Sequence, residues 1–160
     1  MTGTPPPAPG ATRAQRLTAP LLVLLWSLLG IEAVGGLVIF YVRLAIGRTP
    51  GESLHVVAGA LLTLVYASYQ WQHWTRVAPW RNRLDYAMGL IAALSMAAAL
   101  ATGYWLAWPW WDIRVVAHGT GAVPYPTAVS AAHNITSMLV LTFVGAHLAA
   151  VLLRDAAKRR

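Results

Sequence analysis

The chain has 160 residues, of which 11% are charged and 58% apolar, with eight Trp, six Tyr, two Phe and no Cys. A disordered chain would be polar and highly charged, and a soluble domain carries roughly a quarter charged residues, so the composition excludes the first and argues against the second. Without cysteine there are no disulfides, thiolate metal sites or cysteine-held iron–sulfur clusters within the chain, and redox compartment is not written in it. Twelve Lys and Arg against five Asp and Glu give a formal charge of +7. A nucleic-acid surface would gather those charges on one face among exposed aromatics. Here they lie between long apolar runs, which points to a lipid bilayer instead.

A lead at residues 1–17, with Pro5, Pro6, Pro7 and Pro9, reads as unstructured. Four stretches follow: Leu21 to Val42, interrupted by Glu32 alone; Leu54 to Thr75; Tyr86 to Trp111; and a fourth within Val115 to Leu153. A bilayer core about 30 Å thick takes roughly 20 helical residues, so each is long enough to span. In lipid the backbone must satisfy itself, which leaves helices as the form for such runs. The first run is too long for a cleaved signal peptide and lacks a small-residue cleavage site, so it reads as a retained helix. The expected fold is all-α: an integral membrane four-helix up-down bundle over residues 18–156, with helices at about 20–45, 50–76, 83–108 and 127–155 and a basic tail at 157–160.

Local signals refine the helix ends. Thr49-Pro50-Gly51-Glu52 reads as an N-cap, a first-turn proline and a capping-box glutamate. Pro126-Thr127 offers a similar start, Asn82 with Asp85 caps the third helix, and Pro109 helps to end it. Arg13, Arg16, Arg76, Arg81, Arg83, Arg154, Lys158, Arg159 and Arg160 fall on one side; Arg43, Arg48 and Arg114 fall on the other. The positive-inside rule then puts both termini and the second turn in the cytoplasm of a bacterial-type inner membrane. Tyr104, Trp105, Trp108, Trp110 and Trp111 form the outer interfacial belt.

The two halves repeat. Each is an outward helix with glycine near its outer third, a loop, and an inward helix with histidine near its start: Gly35, Gly36 and His55, then Gly103 and His133. The bundle is thus two helical hairpins in which the second and fourth helices are parallel, with His55 and His133 at one depth. Two facing imidazoles with glycine on the other two helices suit a haem b: the nitrogens supply both axial ligands, and Gly36 and Gly103 give the flat ring clearance. Interhelical hydrogen bonding is the plainer use of an intramembrane histidine, and Gly30, Gly35 and Gly36 equally serve close helix packing.

His147 lies fourteen residues after His133, a rise of about 21 Å on nearly the same helix face. It invites a second haem, but fourteen residues after His55 stands Tyr69. His73, eighteen residues after His55, shares that histidine's face and lies roughly 6 Å deeper than His147, a gap that a tilted fourth helix would close. The alternative has His73 as an interfacial anchor and His147 as a packing residue. His118 reads as a solvated loop residue. Glu32 reads either as a proton or quinone contact or as a neutral carboxyl bonded to a neighbouring helix. Arg43, Arg48 and Arg114 either meet haem propionates or snorkel to the interface.

Gly36, His55, Gly59, His73-Trp74, Gly103, His133 and His147 together resemble the cytochrome b-like membrane family, the haem b subunits of formate dehydrogenase, nickel–iron hydrogenase and thiosulfate reductase type, over roughly residues 18–156. The resemblance implies bis-histidine haem b and electron exchange between the quinone pool and a peripheral or membrane redox partner. It also implies two haems, with histidines about fourteen residues apart on an inward helix. Tyr69 and a first helix without histidine depart from that pattern, so the second haem depends on His73. No nucleophile triad, phosphate loop or substrate-pocket signature is present, and no activity of the chain alone is expected. The competing reading is a non-redox membrane anchor or assembly subunit, or a subunit holding a chlorophyll-type pigment.

Overall fold

A computed structural model describes residues 20–75, 84–111 and 127–157. Among these the chain is all-helical: α1 (Pro20–Ile46), α2 (Glu52–Trp74), α3 (Leu84–Trp111) and α4 (Thr127–Ala157). Arg76, Arg81, Asn82, Arg83, Arg114, His118 and Pro126, with the N-terminal lead and residues 158–160, lie outside the described residues.

α1, α3 and α4 are long and apolar enough to cross a membrane. α2 has 23 residues, about 35 Å of helix, but Tyr66, Ser68, Tyr69, Gln70, Gln72 and His73 lower the mean hydropathy of its second half. Length and composition therefore make three candidate spans, where four equivalent ones were expected. The hydroxyls inside these helices are satisfied at home. Ser27, Thr63, Thr102, Thr136 and Thr142 donate to the carbonyl four residues back at 2.7–2.9 Å, so they add no unpaired group to an apolar setting.

The ends differ from the expected signals in two places. α1 stops at Gly47, whose φ of 70° breaks the helix while its N–H returns to the Arg43 carbonyl at 2.9 Å. The N-cap of α2 is Gly51, φ 77°, rather than Thr49. Thr49 instead donates its hydroxyl to Glu52 Oε2 at 2.6 Å, and Pro50 lies in the turn before the helix. Glycine takes the cap because the chain needs a left-handed residue there. α3 runs through Pro109 to Trp111. A proline's fixed φ is helical, so close to the helix end it removes one hydrogen bond without stopping the last turn.

Contacts between helices run in opposite sequence order within each hairpin. On α1 and α2, Glu32 meets Gly59 and Gly36 meets His55; on α3 and α4, Gly89 meets His147 and Gly103 meets His133. α3 and α4 share the most extensive interface, α1 packs on α2, and α2 touches α3 more lightly. On α3, Gly89, Ala99 and Gly103 meet the histidines of α4. Small residues let two backbones approach closely. A buried layer of Leu25, Leu28, Leu62, Met96, Ala99 and Val140 draws on all four helices. Around it the outer surface is apolar, as at Leu44, Leu64 and Trp105, and suits contact with lipid.

Asp85 stands in the first turn of α3. Its carboxylate is buried and pairs with Arg154, tying the start of α3 to the end of α4. Removing one partner of such a pair leaves an uncompensated charge, which costs roughly 3–5 kcal/mol when both are buried. Arg154 is half-buried, so Arg154→Ala is expected to destabilise the fold by about 2–3 kcal/mol. Thermal denaturation in detergent checks this.

Candidate functional site

The five histidines of the sequence include four on α2 and α4, and the structure brings these four together as two pairs. The rings of His55 and His133 have centroids 6.3 Å apart and planes inclined at 79°. Those of His73 and His147 are 6.4 Å apart at 89°. The extra turn between His55 and His73 is therefore absorbed, and the second pair closes. Tyr69, which stands where a ligand at matching spacing would be, stacks on His73 at 5.6 Å and 18°.

How each ring is held follows from the helix beside it. His133 Nδ1 lies 3.0 Å from the Ala99 carbonyl oxygen and 3.2 Å from Thr102 Oγ1. His147 Nδ1 lies 2.7 Å from the Asp85 carbonyl oxygen. A carbonyl only accepts, so in both histidines Nδ1 carries the proton and Nε2 is left as the basic donor. The acceptors Asp85 and Ala99 are fourteen residues apart, as are His133 and His147. Four residues after each acceptor comes a glycine, Gly89 and Gly103. A Cβ on Gly103 would lie 3.1 Å from His133 Cε1, and one on Gly89 would lie 3.0 Å from both Cε1 and Nδ1 of His147. The residue at i+4 sits over the carbonyl of residue i, so only glycine leaves that oxygen open to a ring from the next helix.

In the first hairpin Gly36 and Gly35 stand against His55, with Cβ positions 3.4 Å and 3.8 Å from its ring. Gly36 and Gly103 thus make room first for the imidazoles. Glu32 Oε2 is 3.0 Å from His55 Nδ1, without the straight alignment of a hydrogen bond, and Glu32 Oε1 is buried without a partner. Gly59 lies beside the carboxylate, and a Cβ there would be in ordinary contact, 3.5 Å from Oε2.

His55 and His133 border a cavity of about 800 Å³ that Glu32, Gly36, Arg43 and Gly103 also line. Sites for cofactor-sized ligands occupy roughly 300–1,000 Å³. Arg43 Nη1 donates to Ser130 Oγ at 3.5 Å, joining α1 to α4 beside it. No group of three or more His, Cys, Asp or Glu suited to a bare metal ion occurs among the described residues. Gly89, Ala99 and Thr102 were not singled out from the sequence. The recurrence of fourteen in Gly89 and Gly103 was the signal that marks the first of them.

No protein-family description, no curated protein and no solved structure matches this chain.

Gly89→Ala and Gly103→Ala are expected to push the rings off their carbonyls. Overpacking of about 1–3 kcal/mol outweighs a helix-propensity gain of about 1 kcal/mol. Gly30→Ala meets nothing within 4 Å and keeps that gain. Thermal denaturation in detergent should lower the midpoint for the first two and hold or raise it for the third.

Proposed function

We propose that this chain is a b-type cytochrome of the bacterial-type inner membrane, relaying electrons between the quinone pool and a partner redox protein. The observation that carries the reading is the spacing of the two histidine pairs. Two metal–imidazole bonds of about 2.0–2.1 Å, plus roughly 1.1 Å from each nitrogen to its ring centre, put the centroids of a bis-imidazole metal about 6.3 Å apart. The pairs stand at 6.3 Å and 6.4 Å. Each ring turns freely about a metal–nitrogen bond, so near-perpendicular planes are compatible with shared ligation.

In this reading the four helices form an up-down bundle with both termini cytoplasmic and α2 as the fourth span. His55 with His133, and His73 with His147, are the axial ligands of two haems b. A bound haem supplies reversible one-electron uptake at its iron. The chain's own residues do the rest. The Ala99 and Asp85 carbonyls fix His133 and His147 in the tautomer that presents Nε2, as outer partners of metal-bound histidines do. Gly36 and Gly103 set the rings close to the neighbouring backbone. Arg43 offers a guanidinium to a propionate at the cavity mouth. The buried apolar layer, with Val140 seven residues from both His133 and His147, lies between the pairs and keeps water from them. With both axial positions taken, no position is left for substrate, so the chain carries electrons and leaves chemistry to its partner.

The test is haem content and spectrum of the purified chain. A dithionite-reducible b-type spectrum with two haems per chain is expected. His55→Ala or His133→Ala should remove one, and His73→Ala or His147→Ala the other. A colourless wild-type chain would instead indicate a non-redox anchor, a chlorin spectrum a pigment subunit, and a single haem would leave His73 and His147 as packing residues.

A further inference from the structure

Glu32 stands where the second hairpin uses main chain. A shift of 67 positions carries Gly36 onto Gly103 and Glu32 onto Ala99. Ala99 offers His133 a neutral carbonyl oxygen. At the equivalent place, His55 Nδ1 meets a carboxylate oxygen at 3.0 Å. The last torsion of a glutamate is broad, so bringing the two into line costs little.

A carboxylate inside an apolar span is expensive and needs a compensating charge. Its Oε1 is buried without a hydrogen-bond partner. A haem iron on the far nitrogen of the same imidazole would carry a net positive core charge only when oxidised, and that charge would compensate the carboxylate. Carboxylate–histidine–metal arrangements fix the ring and raise its basicity, which favours the more oxidised metal.

Among the described residues the second pair shows no such arrangement. His147 meets the neutral carbonyl of Asp85, His73 stacks on Tyr69, and the Asp85 carboxylate is balanced by Arg154. We infer that Glu32 is a positioning residue that acts through His55 to make the His55/His133 site the lower-potential of the two, and so the electron-giving end of the relay. The inference rests on the cytochrome reading above. With haems bound, His55 and His133 would hold the iron that gives up an electron and His73 and His147 the iron that accepts it, the haems supplying only reversible one-electron exchange.

The experiment is a potentiometric titration of the haem-loaded full chain, followed by absorbance, in the wild type, Glu32→Gln, Glu32→Asp and His147→Ala. Two one-electron components are expected, the lower of which survives in His147→Ala. Glu32→Gln should raise only that component, changing its oxidised-to-reduced ratio at fixed potential at least tenfold, or 59 mV for one electron. Haem stoichiometry should stay unchanged, and Glu32→Asp should recover part of the shift. Should His147→Ala fail to fold, His73→Ala makes the same assignment. A merely structural glutamate would change haem retention and leave the potentials in place. A lower component unmoved in Glu32→Gln, or a shift confined to the upper one, overturns this inference alone. A wild-type chain that takes up no haem overturns the cytochrome reading and the inference with it.

Discussion

The second hairpin depends on one small interaction made twice: an imidazole N–H donated across to a main-chain carbonyl that a glycine, four residues further on, leaves uncovered. Ala99 with Gly103 and Asp85 with Gly89 repeat the device at a fourteen-residue interval, matched by His133 and His147. The helix would otherwise shield its own oxygens with the next turn of side chains. Because a carbonyl cannot donate, the bond fixes the tautomer, and the register between α3 and α4 is coupled to where the two imidazoles stand. The Asp85–Arg154 pair reinforces it from the end of the hairpin, on the same residue whose carbonyl holds His147.

The helices were legible because uncharged runs of more than twenty residues leave few other forms. The first histidine pair was legible because the two halves repeat. Other features were hidden for identifiable reasons. The spacing of His55 and His73 is four longer than that of His133 and His147, and linear spacing does not record the angle at which helices cross; the rings nevertheless meet at 6.4 Å. The cap at Gly51 looked like Thr49 because the four-residue signature is the same, and only the left-handed φ of glycine distinguishes them. Acceptors such as the Ala99 oxygen belong to the main chain and leave no residue type to read. Gly89 left one trace in the sequence, its fourteen-residue interval to Gly103.

The two hairpins solve the same problem with different atoms. α3 can lend carbonyls because Gly89, Ala99 and Gly103 stand where the histidines of α4 meet it. α1 offers Gly35 and Gly36 near His55 but carries Glu32 one turn earlier, and the side chain meets Nδ1 directly. A repeat that preserves the glycine and exchanges a neutral acceptor for an acidic one keeps the shape of a site while changing its electrostatics. The difference is largest in a low-dielectric surrounding, where water does not screen it.

The same reasoning bears on α2, the least apolar helix. Its half-buried Tyr66, Tyr69 and His73 recur at three- and four-residue steps, with Tyr66 and Tyr69 against the core. Its exposed positions include Val57, Leu61, Leu64 and Trp71, which recur on the opposite face. What lipid would meet on this helix is thus largely apolar, and much of the polarity that lowers its average points toward neighbouring helices. A window average assigns both faces equal weight, as though every side chain touched the bilayer. On α2 part of the average is lowered by the half-buried Tyr66, Tyr69, Gln70 and His73, so its hydropathy understates how well its outer face suits a membrane.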